Sequence, residues 1–282
     1  MPGHARQGAA MSDLKVWVQG IGLLGPGLNA WPASLGVLRG TELHANTPTV
    51  LPLPARLPPA ERRRAGAAVK LAMAVADEAV AHAHVDPATL ATVFASSSGE
   101  CSNCHALCEA LATPAPVVSP TKFTNSVHNA SSGAWHIAVA SRASSTSLCA
   151  FDGSFGAGLI EAAISVRSSG QPVLLVASDS PYPEPLNSAR PLPDHFGAAL
   201  LFTATSTDRS LASLTISLGS ARHVAELPNA SLDALRRAIP AAAVLPLLVA
   251  LAKGTSQAVA IDYLPDLGLQ VNVEPVLQPE TA

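Results

Sequence analysis

The sequence predicts an α/β protein, a mixed sheet layered with helices. Three observations carry this reading. Apolar runs short enough to be strands, such as residues 173–177, are interspersed with longer stretches of helical spacing. Of the 282 residues 48% are hydrophobic and only 13% charged, which is enough apolar material for a sizeable core. Residues 144–179 read as strand, sharp elbow, helix and strand in direct succession. Small and β-branched residues run up to Leu148, and a tight turn passes through Asp152, Gly153 and Ser154. Leu159, Ala162, Ala163 and Val166 then follow at helical spacing, Ser168-Ser169-Gly170 stops the helix, and a buried strand closes the unit. An elbow of that kind raises one side chain above a sheet, at the positive end of a helix dipole, where a nucleophile would be activated.

In chain order, residues 1–10 are expected to be a disordered tail, residues 11–273 a single domain and residues 274–282 a second tail. A strand at 15–18 leads into a tight turn within Gly20-Ile21-Gly22-Leu23-Leu24-Gly25, and a helix follows near 29–39. Residues 40–60 read as loop, with five prolines from Pro48 on. Residues 61–84 are the best helix in the chain, opening on Arg62-Arg63-Arg64, a solvated basic face. A strand at 93–95, a short helix across 101–108, a proline-rich loop at 114–120 and a helix at 131–140 come next. Beyond the elbow unit, residues 182–193 are loop, 198–204 and 214–218 are strands, and 232–239 and 241–252 are short helices. Strands at 258–262 and 269–273 form a hairpin about Pro265-Asp266.

Several motifs invite chemistry. Gly20 to Gly25 match the dinucleotide pattern G-x-G-x-x-G, but Pro26-Gly27 breaks the helix that the pattern should open, so a turn is its expected role. Cys101-x-x-Cys104-His105 matches the pattern for covalent haem attachment. No export signal is evident, and no Met or second His is placed as the other axial ligand. Cys104, His105 and Cys108 share a helical face that suits a metal, yet the expected role of the three cysteines is as small apolar side chains. Neither metal nor cofactor is expected. His128 and His136 lie near a helix start, where a structural histidine is commoner than a catalytic one.

A net charge of −3 gives no argument for nucleic acid or for an anionic membrane surface. Four cysteines in a chain of this length are no disulfide framework. The most apolar late segment, 238–252, is too short to span a bilayer and contains Pro240 and Pro246. A soluble cytoplasmic protein is expected, without nucleic acid or membrane as partner.

Taken together, these stretches resemble the N-terminal half of β-ketoacyl synthases. V-W-V-Q-G-I-G-L-L-G-P at 16–26 looks like their opening strand and turn, and the helix at 64–81 like their long helix. V-S-P-T-K-F-T-N-S-V-H-N-A-S-S-G-A-W-H-I-A at 118–138 resembles the segment before their nucleophile strand. S-T-S-L-C-A-F-D-G-S-F-G-A-G-L-I-E-A-A at 145–163 resembles their nucleophile elbow. The likeness spans about residues 16–203. S-V-H-N together with P-Y-P-E-P-L at 181–186 is similar to a narrower group: short, synthase-like chain length factors encoded beside type II ketosynthases in aryl polyene and related pigment pathways.

The resemblance implies a thiolase-like layered fold, with a complete N-terminal half and an abbreviated C-terminal one. It also exposes departures. A working ketosynthase has a cysteine at the elbow and two histidines from its second half. Counting back from Gly170 puts the elbow at Asp152 or Gly153, neither of which forms a thioester. Cys149 stands three residues earlier, Ser154 is not in a G-x-S-x-G frame, and the only histidine after residue 205 is His223. Two functions compete. One is a non-catalytic subunit that pairs with a full-length ketosynthase through the edge strand and the preceding helix, meets acyl carrier protein through the complex, and shapes the acyl tunnel. The tunnel or interface residues implied are then Leu107, Leu111, Phe123, His128 and Trp135. The other is a divergent acyltransferase using Cys149, with His128 or His136 as base. An unrelated α/β domain remains as a third, bland reading.

Overall fold

The structure, a computed structural model, describes residues 13–220 and 226–276. Strand β1 (Leu14–Leu24) runs straight through G-I-G-L-L. The turn expected there is strand instead. The chain reverses only between Gly25 and Leu28, whose backbones exchange hydrogen bonds of 2.8 and 2.9 Å. The glycines serve packing: a Cβ on Gly20 would overlap the carbonyl oxygen of Ala79, and one on Gly22 that of Val75. Their absence of side chain lets a helix lie directly on the strand. That helix is α3 (Ala67–Ala83), reached through α1 (Trp31–Arg39) and α2 (Pro59–Arg64).

The single helix expected over 61–84 is therefore two. Ala65 and Gly66 are both extended between them. The carboxyl group of Glu100 occupies the place where a Cβ on residue 66 would stand, and burial pushes that carboxyl above its ordinary range. Only glycine leaves room for that distant side chain beside the start of α3.

The rest of the chain follows as β2 (Ala91–Ala95), α4 (Cys101–Leu111), α5 (Pro120–Thr124), α6 (Ala130–Ala138), β3 (Ser145–Leu148), α7 (Ser154–Ser169) and β4 (Val173–Asp179). Then come α8 (Leu186–Ala189), β5 (Phe196–Thr203), β6 (Ala212–Ser220), α9 (Ala230–Ala238), α10 (Leu245–Lys253), β7 (Gln257–Leu264) and β8 (Leu267–Pro275). Residues 241–244, expected to be helical with α10, belong to a separate 3₁₀ stretch, Pro240–Val244. β8 pairs Glu274 with Ser213 and Pro275 with Ala212, so the last strand runs two residues into the expected tail. The expected tail at 1–10 lies outside the described residues.

One mixed sheet orders the strands β3-β2-β4-β5-β1-β6-β8-β7. β2 is parallel to β3 and β4, and the other pairs are antiparallel. β4 is buried throughout, so its alternate residues feed two cores. Leu174 and Val176 face α3, with Trp135 of α6, while Val173, Leu175 and Ala177 face α7 and the elements around α10. Gly170 ends α7 in the left-handed region, as the sequence predicts. No helix among the described residues is long and apolar enough to cross a membrane.

Candidate functional site

The elbow lies where β3, at the edge of the sheet, hands over to α7. Phe151 is its sharp residue, with φ of 53°, a left-handed value that a bulky L-residue rarely adopts. Asp152 and Gly153, the positions expected from the count, follow it in a single 3₁₀ turn. Counting helical turns back from Gly170 overlooks that tighter turn. Ser154 Oγ fastens the bend, accepting from the Ala150 N–H at 3.0 Å and donating to the Phe151 carbonyl at 2.7 Å. The residue presented at the elbow therefore carries a phenyl ring and no nucleophilic atom.

The hairpin closes the other side. A Cβ on Gly153 would overlap the carbonyl oxygen of Tyr263, and one on Gly156 would stand 2.9 Å from that of Asp262. No side chain larger than hydrogen fits at 153 while β7 stays in place.

Arg190 covers the elbow from the loop after β4. Its guanidinium sits 3.9 Å from the Phe151 ring centroid and 5.4 Å from that of Tyr182. It also donates to the Asp152 carboxylate and to the Tyr182 hydroxyl. Tyr182 Oη lies 3.4 Å from Ser97 Oγ, and Ser97 donates through both N–H and Oγ to Asp179, at 2.7 and 2.9 Å. Ser96 Oγ and the Ala241 N–H complete the shell of Asp179 at 3.1 and 2.8 Å. Burial pushes the Asp179 carboxyl above its ordinary range, against the N–H and O–H donors that favour its charge. This network ties the elbow to the loop after β2 and to the 3₁₀ stretch before α10.

Cys149 is exposed, and its thiol points at the Ser97 carbonyl, 3.5 Å away. The two candidate bases are engaged elsewhere. His128 Nε2 donates to the Ser96 carbonyl at 3.2 Å, and His136 Nε2 bonds Thr92 Oγ1 at 2.8 Å, with burial holding its imidazole below the ordinary range. Neither bonds Cys149 among the described residues. Cys101 is half-buried, bonds the Ser98 carbonyl at 3.0 Å, and has its thiol pushed up to about 11, first of all by burial. Cys104 and Cys108 are exposed, and His105 faces Glu109 at 3.4 Å. Among the described residues no three His, Cys, Asp or Glu side chains gather as a metal site would require.

The five tunnel or interface residues divide. Leu111 is 60% exposed and Phe123 63%, on the ends of α4 and α5, and the backbone of His128 packs near Gly99. Leu107 is buried. Trp135 is 0% exposed and belongs to the core under α3, with the Arg56 guanidinium 5.8 Å from its ring, so it presents nothing to the surface. Val117, Val127 and Ile137 are exposed as well. A cleft of about 410 Å³ is lined among others by Arg64, Asn103, Thr124, Val127 and Ile137. Phe151, Arg190 and Asp179 were not singled out in the sequence. The P-Y-P-E-P-L run containing Tyr182 marked their neighbourhood, but nothing local to Arg190 or Asp179 marks a network.

The structure is similar to several solved condensing-enzyme assemblies. A ketosynthase (ApeO) in complex with its chain length factor (ApeC) from Xenorhabdus doucetiae matches at a TM-score of 0.70 and 22% identity, over 93% of this chain and 99% of that one. The ishigamide ketosynthase/chain length factor matches at 0.69 and 13% identity, over 93% and 100%. AntDE:AntF, a type II polyketide acyl-carrier protein in complex with its ketosynthase, matches at 0.70 and 12%, over 94% and 100%. At these identities the likeness establishes the fold, which is thiolase-like. No curated protein matches the sequence. The family model for the β-ketoacyl synthase N-terminal domain matches residues 39–258, from the end of α1 into β7. With the elbow, its flanking strands and the covering helices all inside that span, the chain belongs to the β-ketoacyl synthase N-terminal domain family.

Proposed function

We propose that this chain is a non-catalytic, chain-length-factor-like subunit. It pairs with an active β-ketoacyl synthase in a type II fatty acid or polyketide pathway of aryl polyene kind, shapes the acyl tunnel of that partner, and meets acyl carrier protein through the complex. The observation that carries the reading is the elbow itself. Where a condensing enzyme needs a thiolate at a helix N-terminus, this chain presents Phe151, covered by Arg190. The exposed apolar side chains Phe123, Val127 and Ile137, the last two lining the cleft, support a partner on that side. The similar structures named above include ketosynthase/chain length factor pairs, which supports the same kind of partner here.

The acyltransferase alternative lacks a base bonded to Cys149 among the described residues. The test incubates the purified chain with malonyl- and acyl-carrier thioesters, alone and co-expressed with a full-length β-ketoacyl synthase from the same genome. The chain alone should yield no ketoacyl product and no acyl adduct, and the pair should co-purify and condense. An adduct on Cys149 would refute the non-catalytic reading.

A further inference from the structure

We propose that Phe151 is the anchor this chain inserts into an apolar pocket of its ketosynthase partner. The proposal rests on the heterodimer reading above and names the side chain that reading leaves open. The ring is 60% exposed, in a place where a glycine would be at ease. Left-handed backbone at an aromatic residue is costly and persists where surrounding structure imposes it, most often at functional positions. Here Ser154 Oγ holds both sides of the bend, so the strain is built in.

The ring is also held still. Arg190 stacks on it at 3.9 Å, and Arg190 is itself fixed by Asp152 and by Tyr182, whose side chain is buried. An aromatic side chain ordered before binding loses little further freedom in a complex. Aromatic residues beside arginine and tyrosine are the usual composition of interface hot spots.

Position and charge define the partner surface. Phe151 comes three residues after β3, which among the described residues pairs only with β2 and stands at the edge of the sheet. Leu186 opens the short helix α8 that Arg190 closes, and it is a second half-exposed apolar side chain. Asp152 neutralises Arg190, so the platform under the ring carries no net charge. An apolar pocket fits this surface, and an anionic one does not.

Phe151→Gly removes the ring and relieves the backbone at once, which separates binding from folding. Association with a full-length β-ketoacyl synthase from the same genome is measured by isothermal titration, and thermal unfolding is followed on the free chain. The expected result is an unfolding midpoint unchanged or raised, with association weakened about 30-fold or more. Phe151→Leu, which keeps an apolar side chain, should lose less. Association unaffected by Phe151→Gly would overturn the anchor while leaving the heterodimer standing. A wild-type chain that does not bind the ketosynthase at all would overturn both. Loss of self-association alone, with the heterodimer intact, would also overturn the anchor as stated.

Discussion

Phe123→Ala separates a tunnel role from a folding role. Phe123 is 63% exposed at the end of α5, so its ring contributes little to the fold of the free chain. Surface substitutions of this kind stay within about 0.5 kcal/mol. At about 2–4 °C per kcal/mol for a chain somewhat smaller than this one, the unfolding midpoint should move by no more than about 2 °C. Trp135→Ala is the contrast. Trp135 is 0% exposed within the core beneath α3, and truncation of such a side chain costs about 3–5 kcal/mol, a large share of the roughly 5–15 kcal/mol that holds a domain folded. It should lower the midpoint by about 6–20 °C on the same scale and reduce assembly indirectly. Scanning calorimetry on the free chains reads the first effect, and mass spectrometry of products from assembled complexes reads the second. If Phe123 stops the growing acyl chain, its alanine variant makes longer products at similar rate from a subunit of unchanged stability. Unchanged product lengths for both Phe123→Ala and Leu111→Ala would remove the gating role and leave a scaffold. A large loss of stability in Phe123→Ala would refute the assignment of its ring to the surface.

Two further outcomes are expected. Gly153→Ala forces a methyl group into the Tyr263 carbonyl and should cost about 1–3 kcal/mol as overpacking, whereas Gly133→Ala in α6, which meets open space, should be neutral or stabilising by up to about 1 kcal/mol; equal midpoints in urea denaturation would contradict the close approach of β7 to the elbow. Burial holds the imidazoles of His82, His136 and His195 below the free value of 6.5, so the unfolded chain binds protons first, and their contribution to stability is full above about that pH and declines as pH falls through it. The buried carboxyl groups of Glu78, Glu100 and Asp179 are shifted upward and act in the opposite sense at lower pH, so the measurement is differential. His136→Gln should lose part of the acid sensitivity between about pH 7 and 6, and a parallel stability profile would count against the burial argument.

The sequence by itself determined the alternation of strands and helices, the elbow between β3 and α7, the left-handed stop at Gly170 and the final hairpin. Each is written in residues close together in the chain, as periodicity, a glycine or a proline. The same locality explains the limits. Gly20 and Gly22 read as a turn because glycine permits one, and only the carbonyl groups of Ala79 and Val75, more than 50 residues away, show that they are there for close packing. The carboxyl group of Glu100 fills the space beside Gly66 at the start of α3, and no pattern near residue 66 contains it. Helical counting pointed to Asp152 or Gly153, one or two residues past the sharp residue, because it does not register a 3₁₀ turn, and Phe151 carried no signal until its backbone was seen. Trp135 and Phe123 look alike as bulky apolar residues in one segment, yet one fills the core and the other faces solvent. Periodicity reports which residues share a face, and only the packed chain decides what that face meets.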